Sequence, residues 1–504
     1  MTKRFMLAWG LVVGCGHTDE SVSGSDSESD TPDTGESDSG GGVLDTGDTE
    51  LTTDTDGDTD LDSPLTLDEA FACRTTDGVG GIGPGSALEK HTLDLEAFPL
   101  ARCNDGTPAV FYVRRAADPT DDDKWLIQLN GGGGCRDGQS CADRFCGYDT
   151  NFSAFQMSST DTPPGMQDEG ILARRVDNPW GNWNQVFVHY CTSDNWGGQS
   201  EHVVLAAAYP GEQADPMIAY HLDFLGAYVF DAVIATLRRD GSPGPQYGAE
   251  QMPDLDEAVE VVLAGASAGS GGVVRHLDSL HERLRENNVN CSDGDCPLAV
   301  RGLHDSGLPP SYADVDLSQS VFCDAGLCSY EAIYQYEYEF GGSGIWGARV
   351  DGSCAAFHVD EPWRCSDNAF VLENHITTPI FVRMGQRDTL HEEAFAESNL
   401  LTQEGDPIDT ATFASLVRAR LLGLEMVPET ALEMGEVWKA PGVFGPSCDK
   451  HETLRNDTHV YEVSIESEGL TQEMFDVWAR WIADEEGSQA ITTPGGTDSC
   501  TQAQ

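Results

Sequence analysis

Residues 259–276 read VEVVLAGASAGSGGVVRH. A run of β-branched and apolar residues gives way to small residues around one serine. A helical pattern follows at once, with Val273, Val274, Leu277, Leu280 and Leu284 spaced along VVRHLDSLHERLREN (273–287). The pattern predicts a buried strand that turns directly into a helix. At the junction, Gly265-Ala266-Ser267-Ala268-Gly269 fits G-x-S-x-G, in which the serine is held on a strained strand-to-helix turn. The glycines on either side avoid clashes with strand and helix, and the helix N-terminus offers free N–H groups to a developing oxyanion. The same five residues could also form a tight structural turn, so the reading depends on the rest of the chain.

Further apolar runs of strand length are AVFYVRR (109–115), WLIQLNG (125–131), NQVFVHY (184–190), AVRGLHD (299–305) and PIFVRMG (379–385). Helical spacing is read in 220–241 and 470–486, and a strand in 458–467. Short apolar strands alternating with helices predict an α/β fold of α/β-hydrolase type. Its central sheet is mostly parallel, with helices on both faces and long disulfide-stapled loops above.

The chain is expected to divide into four stretches. Residues 1–15 read as a lipoprotein signal: Lys3 and Arg4, an apolar run too short to span a bilayer, then VVGC with Cys15 for lipidation. Gly16 after that cysteine favours an outer-membrane or surface destination. Residues 16–64 hold sixteen acidic residues and no Lys or Arg, which predicts a solvated, disordered tether. Its DTDGDTDLD (54–62) has carboxylates at alternate positions but lacks glycine at the sixth position of a calcium loop and a closing glutamate at the right distance. Residues 65–486 form the hydrolase domain, and 487–504 a C-terminal tail.

The formal charge of −58 excludes nucleic acid as a partner, because phosphate binding needs a basic footprint. It also disfavours a highly charged polyanion as substrate. Apart from Cys15, fourteen cysteines remain, enough for seven bridges. Their spacing lacks Cys-x-x-Cys, and a secretion signal precedes them, so disulfides in an extracytoplasmic protein are expected rather than metal sites. Their pairing is open.

A nucleophilic serine needs a base and a group that orients the base. In the order serine, acid, histidine, Asp388 follows a strand and His451 lies in SCDKHETLR beside Cys448, where a disulfide could fix it. Asp305 is the rival acid; His304, His391 and His459 are rival bases. The oxyanion donors are expected from Ala268 N–H and from the glycine loop LNGGGGC (129–135).

The body resembles the pectin acetylesterase/Notum family of extracellular carboxylesterases. The resemblance rests on CNDGTPAVFYV (103–113), LNGGGGC (129–135), NPWGNWNQVFVHYCTSDNWGG (178–198), GASAGSGG (265–272), RGLHDSG (301–307) and SCDKHE (447–452), in the family's order. It implies Ser267, Asp388 and His451 as triad, and Gly132, Gly133 and Ala268 as oxyanion donors. It also implies Trp183, Asp194 and Trp196 near the substrate. Gly133 and Gly134 stand where relatives carry aromatic residues, which opens the question of acyl specificity.

The expected activity is that of a surface-anchored serine carboxylesterase removing O-acetyl groups from a polysaccharide. It would act as a monomer, without metal or organic cofactor, and meet the membrane only through its lipid anchor. A lipid or acyl-protein deacylase is the second enzyme reading. A non-catalytic binding protein on a hydrolase scaffold is the reading from another class.

Overall fold

The structure, a computed structural model, describes residues 64–75, 82–148, 152–210, 217–240, 243–292, 295–425, 438–467, 470–493 and 497–502. The signal and tether readings therefore lie outside the described residues.

In chain order the strands that matter are β1 (Pro84–Thr92), β2 (Val110–Arg114), β3 (Lys124–Leu129), β4 (Gly165–Met166), β5 (Asn184–Val188), β6 (Ser200–Ala207), β7 (Ile218–Phe224), β8 (Glu260–Ala266), β9 (Ala299–Asp305), β10 (Ile380–Arg383), β11 (Gly442–Gly445), β12 (Ser464–Ser467), β13 (Leu470–Glu473) and β14 (Gln489–Ile491). Ten of them form one sheet in the order β14-β11-β10-β9-β8-β3-β5-β2-β1-β4. From β14 to β5 every pairing is parallel, while β2, β1 and β4 add an antiparallel edge. This is the mostly parallel α/β sheet expected.

Both faces are covered, because side chains alternate across a strand. In β8, Val261 and Leu263 join one core with Val273, Leu277, Leu280 and Leu284 of the Ala268–Asn287 helix, and with Val229, Val233 and Leu237 of the Gly226–Leu237 helix. Val262 and Ala264 point the other way, into a core with Phe381, Phe444 and the closing helix Met474–Ile482 through Val477, Trp478 and Trp481.

Three stretches differ from their sequence reading. The pattern in 220–241 begins as β7, hydrogen-bonded to β6 in a separate hairpin, and becomes helical only from Gly226. Residues 458–467 start as the helix Asp457–Tyr461 and end as β12, which pairs with β13 outside the main sheet. Residues 487–504, read as a tail, contribute β14 to the sheet edge and Cys500 to a bridge with Cys448. The fourteen cysteines pair completely: Cys73–Cys146, Cys103–Cys191, Cys135–Cys141, Cys291–Cys296, Cys323–Cys328, Cys354–Cys365 and Cys448–Cys500. Among the described residues, no helix is long and apolar enough to cross a membrane.

Candidate active site

Ser267 occupies the single position between β8 and the Ala268–Asn287 helix, at φ 55° and ψ −121°. A non-glycine residue reaches that region only at a cost of about 1–3 kcal/mol, met by its surroundings. Ser267 N–H donates to Asp305 O at 3.0 Å, extending the parallel ladder by one rung, and its carbonyl accepts from Ser270 N–H at 2.9 Å. Close approach explains the flanking glycines. A Cβ on Gly265 would collide with Gly269 O, and one on Gly269 with Leu129 O. The small residues are thus what lets the helix start directly on top of the sheet.

Asp388 follows β10 as N-cap of the Thr389–Glu397 helix and is fully buried. Its Oδ2 stands 2.8 Å from His451 Nδ1, and its Oδ1 accepts from His391 N–H at 3.3 Å. A carboxylate only accepts, so Nδ1 carries the proton and Nε2 is left as the basic nitrogen. Burial pushes Asp388 upward, but the neighbouring His451 and His391 and the hydrogen bonds leave it below the ordinary carboxylate value. Burial lowers His451, yet Asp388 by charge and hydrogen bond, with Glu452 and Asp305, brings it above the usual 6.5. The His451 loop is tied to the Asp388 loop by Arg387 N–H donating to Cys448 O at 3.1 Å and Thr389 N–H to Asp449 O at 3.0 Å.

Asp305 has no such vacancy for a histidine. Its Oδ1 accepts from Arg383 Nη1 at 3.1 Å and Ser306 Oγ at 3.0 Å. Its Oδ2 accepts from Thr453 N–H at 2.7 Å and Thr453 Oγ1 at 3.0 Å. It therefore clamps the loop after His451 to the strand end beneath Ser267. Among the described residues, neither the Ser267 hydroxyl nor His451 Nε2 makes a hydrogen bond. The pair of His451 with Asp388 is closed, whereas its pair with Ser267 is not; catalytic hydrogen bonds often tighten only with substrate in place.

The glycine loop follows β3. Gly132 and Gly133 have φ of 139° and 59°, open to glycine, and neither N–H is hydrogen-bonded among the described residues. Ala268 N–H heads the helix and has no acceptor within it. Aromatic bulk returns from elsewhere: a Cβ on Gly133 would lie 2.8 Å from Phe152, and one on Gly134 3.1 Å from Trp346. A Cβ on Gly131 would collide with the Glu452 carboxyl, so the His451 loop presses against the glycine loop here.

The rival bases are placed as neighbours. His391 is buried with its ring 5.2 Å from that of His451 and its Nε2 3.2 Å from Ser306 O. His304 is buried under Gly307, and His459 lies on the short helix beyond Asn456. The three residues expected near substrate are instead enclosed. Trp183 lies in the core under the far face of the sheet. Trp196 is buried and donates Nε1–H to Asn130 O at 3.0 Å. Asp194, buried and pushed up to about 6 chiefly by desolvation, accepts from Thr192 Oγ1, Trp196 N–H and Gly226 N–H. Trp196 and Asp194 thereby hold the glycine loop and the 191–198 turn in place.

Two groups gather three potential metal donors: Asp388 with His391 and His451, and Cys354 with His358 and His375. In the first the Asp388–His451 contact is already made. In the second Cys354 is bridged to Cys365.

Beside His391 opens a cavity with about 60 Å³ of room for water-sized occupants. Its walls include Asn195, Gly307, Tyr312, Tyr334, Trp346 and Phe395, together with Arg136, Arg275, Arg420, Glu337 and Asp367. Sequence reasoning passed over these residues.

The family model described as pectinacetylesterase matches residues 86–501. The chain is 27% identical over 387 residues to the palmitoleoyl-protein carboxylesterase notum1a of Danio rerio, covering 76% of this chain and 64% of that protein. To the palmitoleoyl-protein carboxylesterase NOTUM of Homo sapiens it is 28% identical over 400 residues, 78% of this chain and 66% of the relative. The chain thus spans less than two thirds of the length of either. A solved structure of the Wnt deacylase Notum from Drosophila superposes with a TM-score of 0.53 at 25% identity, covering 79% of this chain and 93% of that one.

Proposed function

This chain belongs to the pectinacetylesterase family; from that premise we propose that it is a carboxylic ester hydrolase in which Ser267 is the nucleophile of an acyl-serine mechanism, with His451 as base and Asp388 as its orienting acid. The observation that carries the reading is the strained φ of Ser267 at the head of a helix, over a strand edge where His451 is already locked to Asp388 at 2.8 Å. His451 Nε2 takes the serine proton as Oγ attacks the ester carbonyl, and Asp388 stabilises the imidazolium. Ala268, Gly132 and Gly133 N–H groups face the developing oxyanion, each such donor contributing about 3–4 kcal/mol in comparable sites. His451 returns the proton to the leaving alcohol, and water then releases the acid by the same route. No step calls for a metal or organic cofactor.

The substrate is proposed to be a short-chain ester, an O-acetyl group on a polysaccharide. The charged side chains around the cavity favour a small polar acyl or sugar group over a long hydrocarbon. The names of the relatives favour the second reading, an acyl-protein or lipid deacylase. A non-catalytic binding role would leave the strained serine without purpose. The location proposed is extracytoplasmic: Cys15 lipidated, residues 16–64 as tether and the domain monomeric at the outer membrane or cell surface. Seven disulfides suit an oxidising compartment. Radiolabelled-lipid incorporation that persists in Cys15→Ser would refute the anchor.

Wild-type protein should hydrolyse p-nitrophenyl acetate, and Ser267→Ala should fall by several orders of magnitude with an unchanged melting curve. Equal rates would sink the mechanism. Faster turnover of p-nitrophenyl octanoate than of the acetate would favour the deacylase reading.

A further inference from the structure

Arg275 stands two helical turns beyond Ser267, on the helix that the serine heads, and only 5% of it is exposed. It lines the cavity beside His391. Every other charged side chain of that wall is matched. Arg136 Nη1 meets Glu337 at 3.3 Å. Arg420 reaches Glu373 with Nε at 2.5 Å and Nη2 at 3.0 Å, and Pro309 O with Nη1 at 2.7 Å. Asp367 accepts from Tyr330 Oη at 3.0 Å and Ala369 N–H at 2.9 Å.

Arg275 is different. Among the described residues its only hydrogen bond is a long one, Nη1 to Gly271 O at 3.4 Å, and its Nε is buried with no partner. Asp194 and Glu337 raise its basicity only from a distance, and burial outweighs them, lowering it to about 10. It remains charged at neutral pH. A buried guanidinium without a hydrogen-bonded anion is costly, because it loses water and gains nothing equivalent. Such a group is expected where a ligand supplies the missing acceptor.

We propose that Arg275 forms an anion subsite that takes a carboxylate carried by the ester substrate, and that it sets the preference of this enzyme for acidic esters. The proposal rests on the reading of Ser267 as nucleophile. Arg136 is paired with Glu337 and Arg420 with Glu373, which leaves Arg275 as the one guanidinium of the wall open to a monoanion, whereas a dianion would also meet Glu337 and Asp367. The planar fork of a guanidinium matches a carboxylate in two parallel hydrogen bonds. In a chain of net charge −58, one fixed cation in an enclosed cleft attracts a single acidic group without drawing polyanions to the surface.

Two pairs of esters test the preference and locate the carboxylate. On the acyl side, monoethyl succinate is compared with ethyl pentanoate by ethanol release. On the alcohol side, 4-acetoxybenzoate is compared with its methyl ester. In at least one pair the acidic ester should be favoured in kcat/KM by about ten- to a hundredfold, the span of a charge-assisted pair. Arg275→Met should abolish that preference while leaving turnover of the neutral ester within a few fold, and Arg275→Lys should keep part of it. No preference in the wild type in either pair, or the same loss on acidic and neutral esters in both variants, overturns the subsite. Binding of benzoate to Ser267→Ala, followed by calorimetry, separates this proposal from the mechanism. The complex should form with Ser267→Ala and vanish on adding Arg275→Met, whatever becomes of the serine.

Discussion

Asp305 and Asp388 end neighbouring parallel strands or their immediate continuation, β9 and β10, on the same edge of the sheet. Both carboxylates are fully buried, and each sits within two loops of the same histidine. They differ in what their oxygens have left to offer. Asp305 spends four acceptor sites on Arg383, Ser306 and Thr453, which leaves it as a clamp. Asp388 keeps Oδ2 for His451 Nδ1. At a strand edge, burial and position do not make an orienting acid; an uncommitted oxygen aimed at a base does.

The same substitution at both sites should give opposite readouts. Asp388→Asn offers His451 an amide in place of an acceptor-only carboxylate, favouring the wrong tautomer. Activity on p-nitrophenyl acetate should fall about 10⁴-fold, the scale of such a change in a triad. The melting temperature should move little. A variant retaining more than a tenth of wild-type turnover would remove Asp388 from the triad. Asp305→Asn leaves the Arg383 guanidinium, 1% exposed, without its carboxylate. Losing one partner of a buried pair costs about 3–5 kcal/mol of stability. Denaturant unfolding should show that loss, with turnover per folded molecule far better kept than in Asp388→Asn. If Asp305→Asn instead abolished activity at full stability, the two roles would be exchanged.

The contrast also explains what could be read from the chain. Strands β3, β5, β8, β9 and β10 announce themselves as apolar runs, and a strand end beside Gly or Asp marks the edge where the candidate site lies. Ser267 and Asp388 can be singled out for that reason and His451 by its loop beside Cys448, and the structure brings Asp388 and His451 to 2.8 Å. The commitment of Asp305 was not, because Arg383 and Thr453 reach it from other segments. Arg275 looks in sequence like an exposed charge on an amphipathic helix. It is buried nonetheless, with its Nε and Cδ close to Gly197 and its head among the residues of the 307–346 segment that line the cavity. Trp183, Asp194 and Trp196 sit in motifs of the family, but a motif does not distinguish cleft from scaffold, and their side chains are enclosed. The 220–224 stretch reads as helical, yet pairing with β6 in the hairpin overrides the pattern.

The base of the pair is open to a pH test. His451 must be neutral to accept the serine proton, and its value lies above 6.5. The kcat/KM profile should therefore lose about tenfold per unit on the acid side of that value. Stability should run the other way. A histidine raised in the folded state contributes stability fully below the unfolded value, and loses it as pH climbs through the folded one. Asp388, lowered on folding, contributes above its unfolded value near 3.8 and loses this as pH falls through the folded one. Asp388→Asn should flatten both limbs. An acid limb that stays in place in His451→Gln would assign the titration to another group.

Glu452 offers the smallest and sharpest adjustment. It follows His451 at φ 55°, its Oε1 is buried without a partner, and it presses on the glycine loop at Gly131. Burial pushes its carboxyl above the usual 4.5, against the pull of His451 and Arg455. When ionised it is the carboxylate after Asp388 in raising His451. Glu452→Gln keeps the shape and removes that charge, so the acid limb of kcat/KM should move to lower pH by less than one unit, about 1.4 kcal/mol at most. Plateau activity should change by no more than a few fold, since Asp388 still holds the ring. A limb that moves upward would mean that Glu452 acts on His451 through the position of the glycine loop rather than through charge. An unmoved limb with reduced plateau would make it a prop for the oxyanion donors alone.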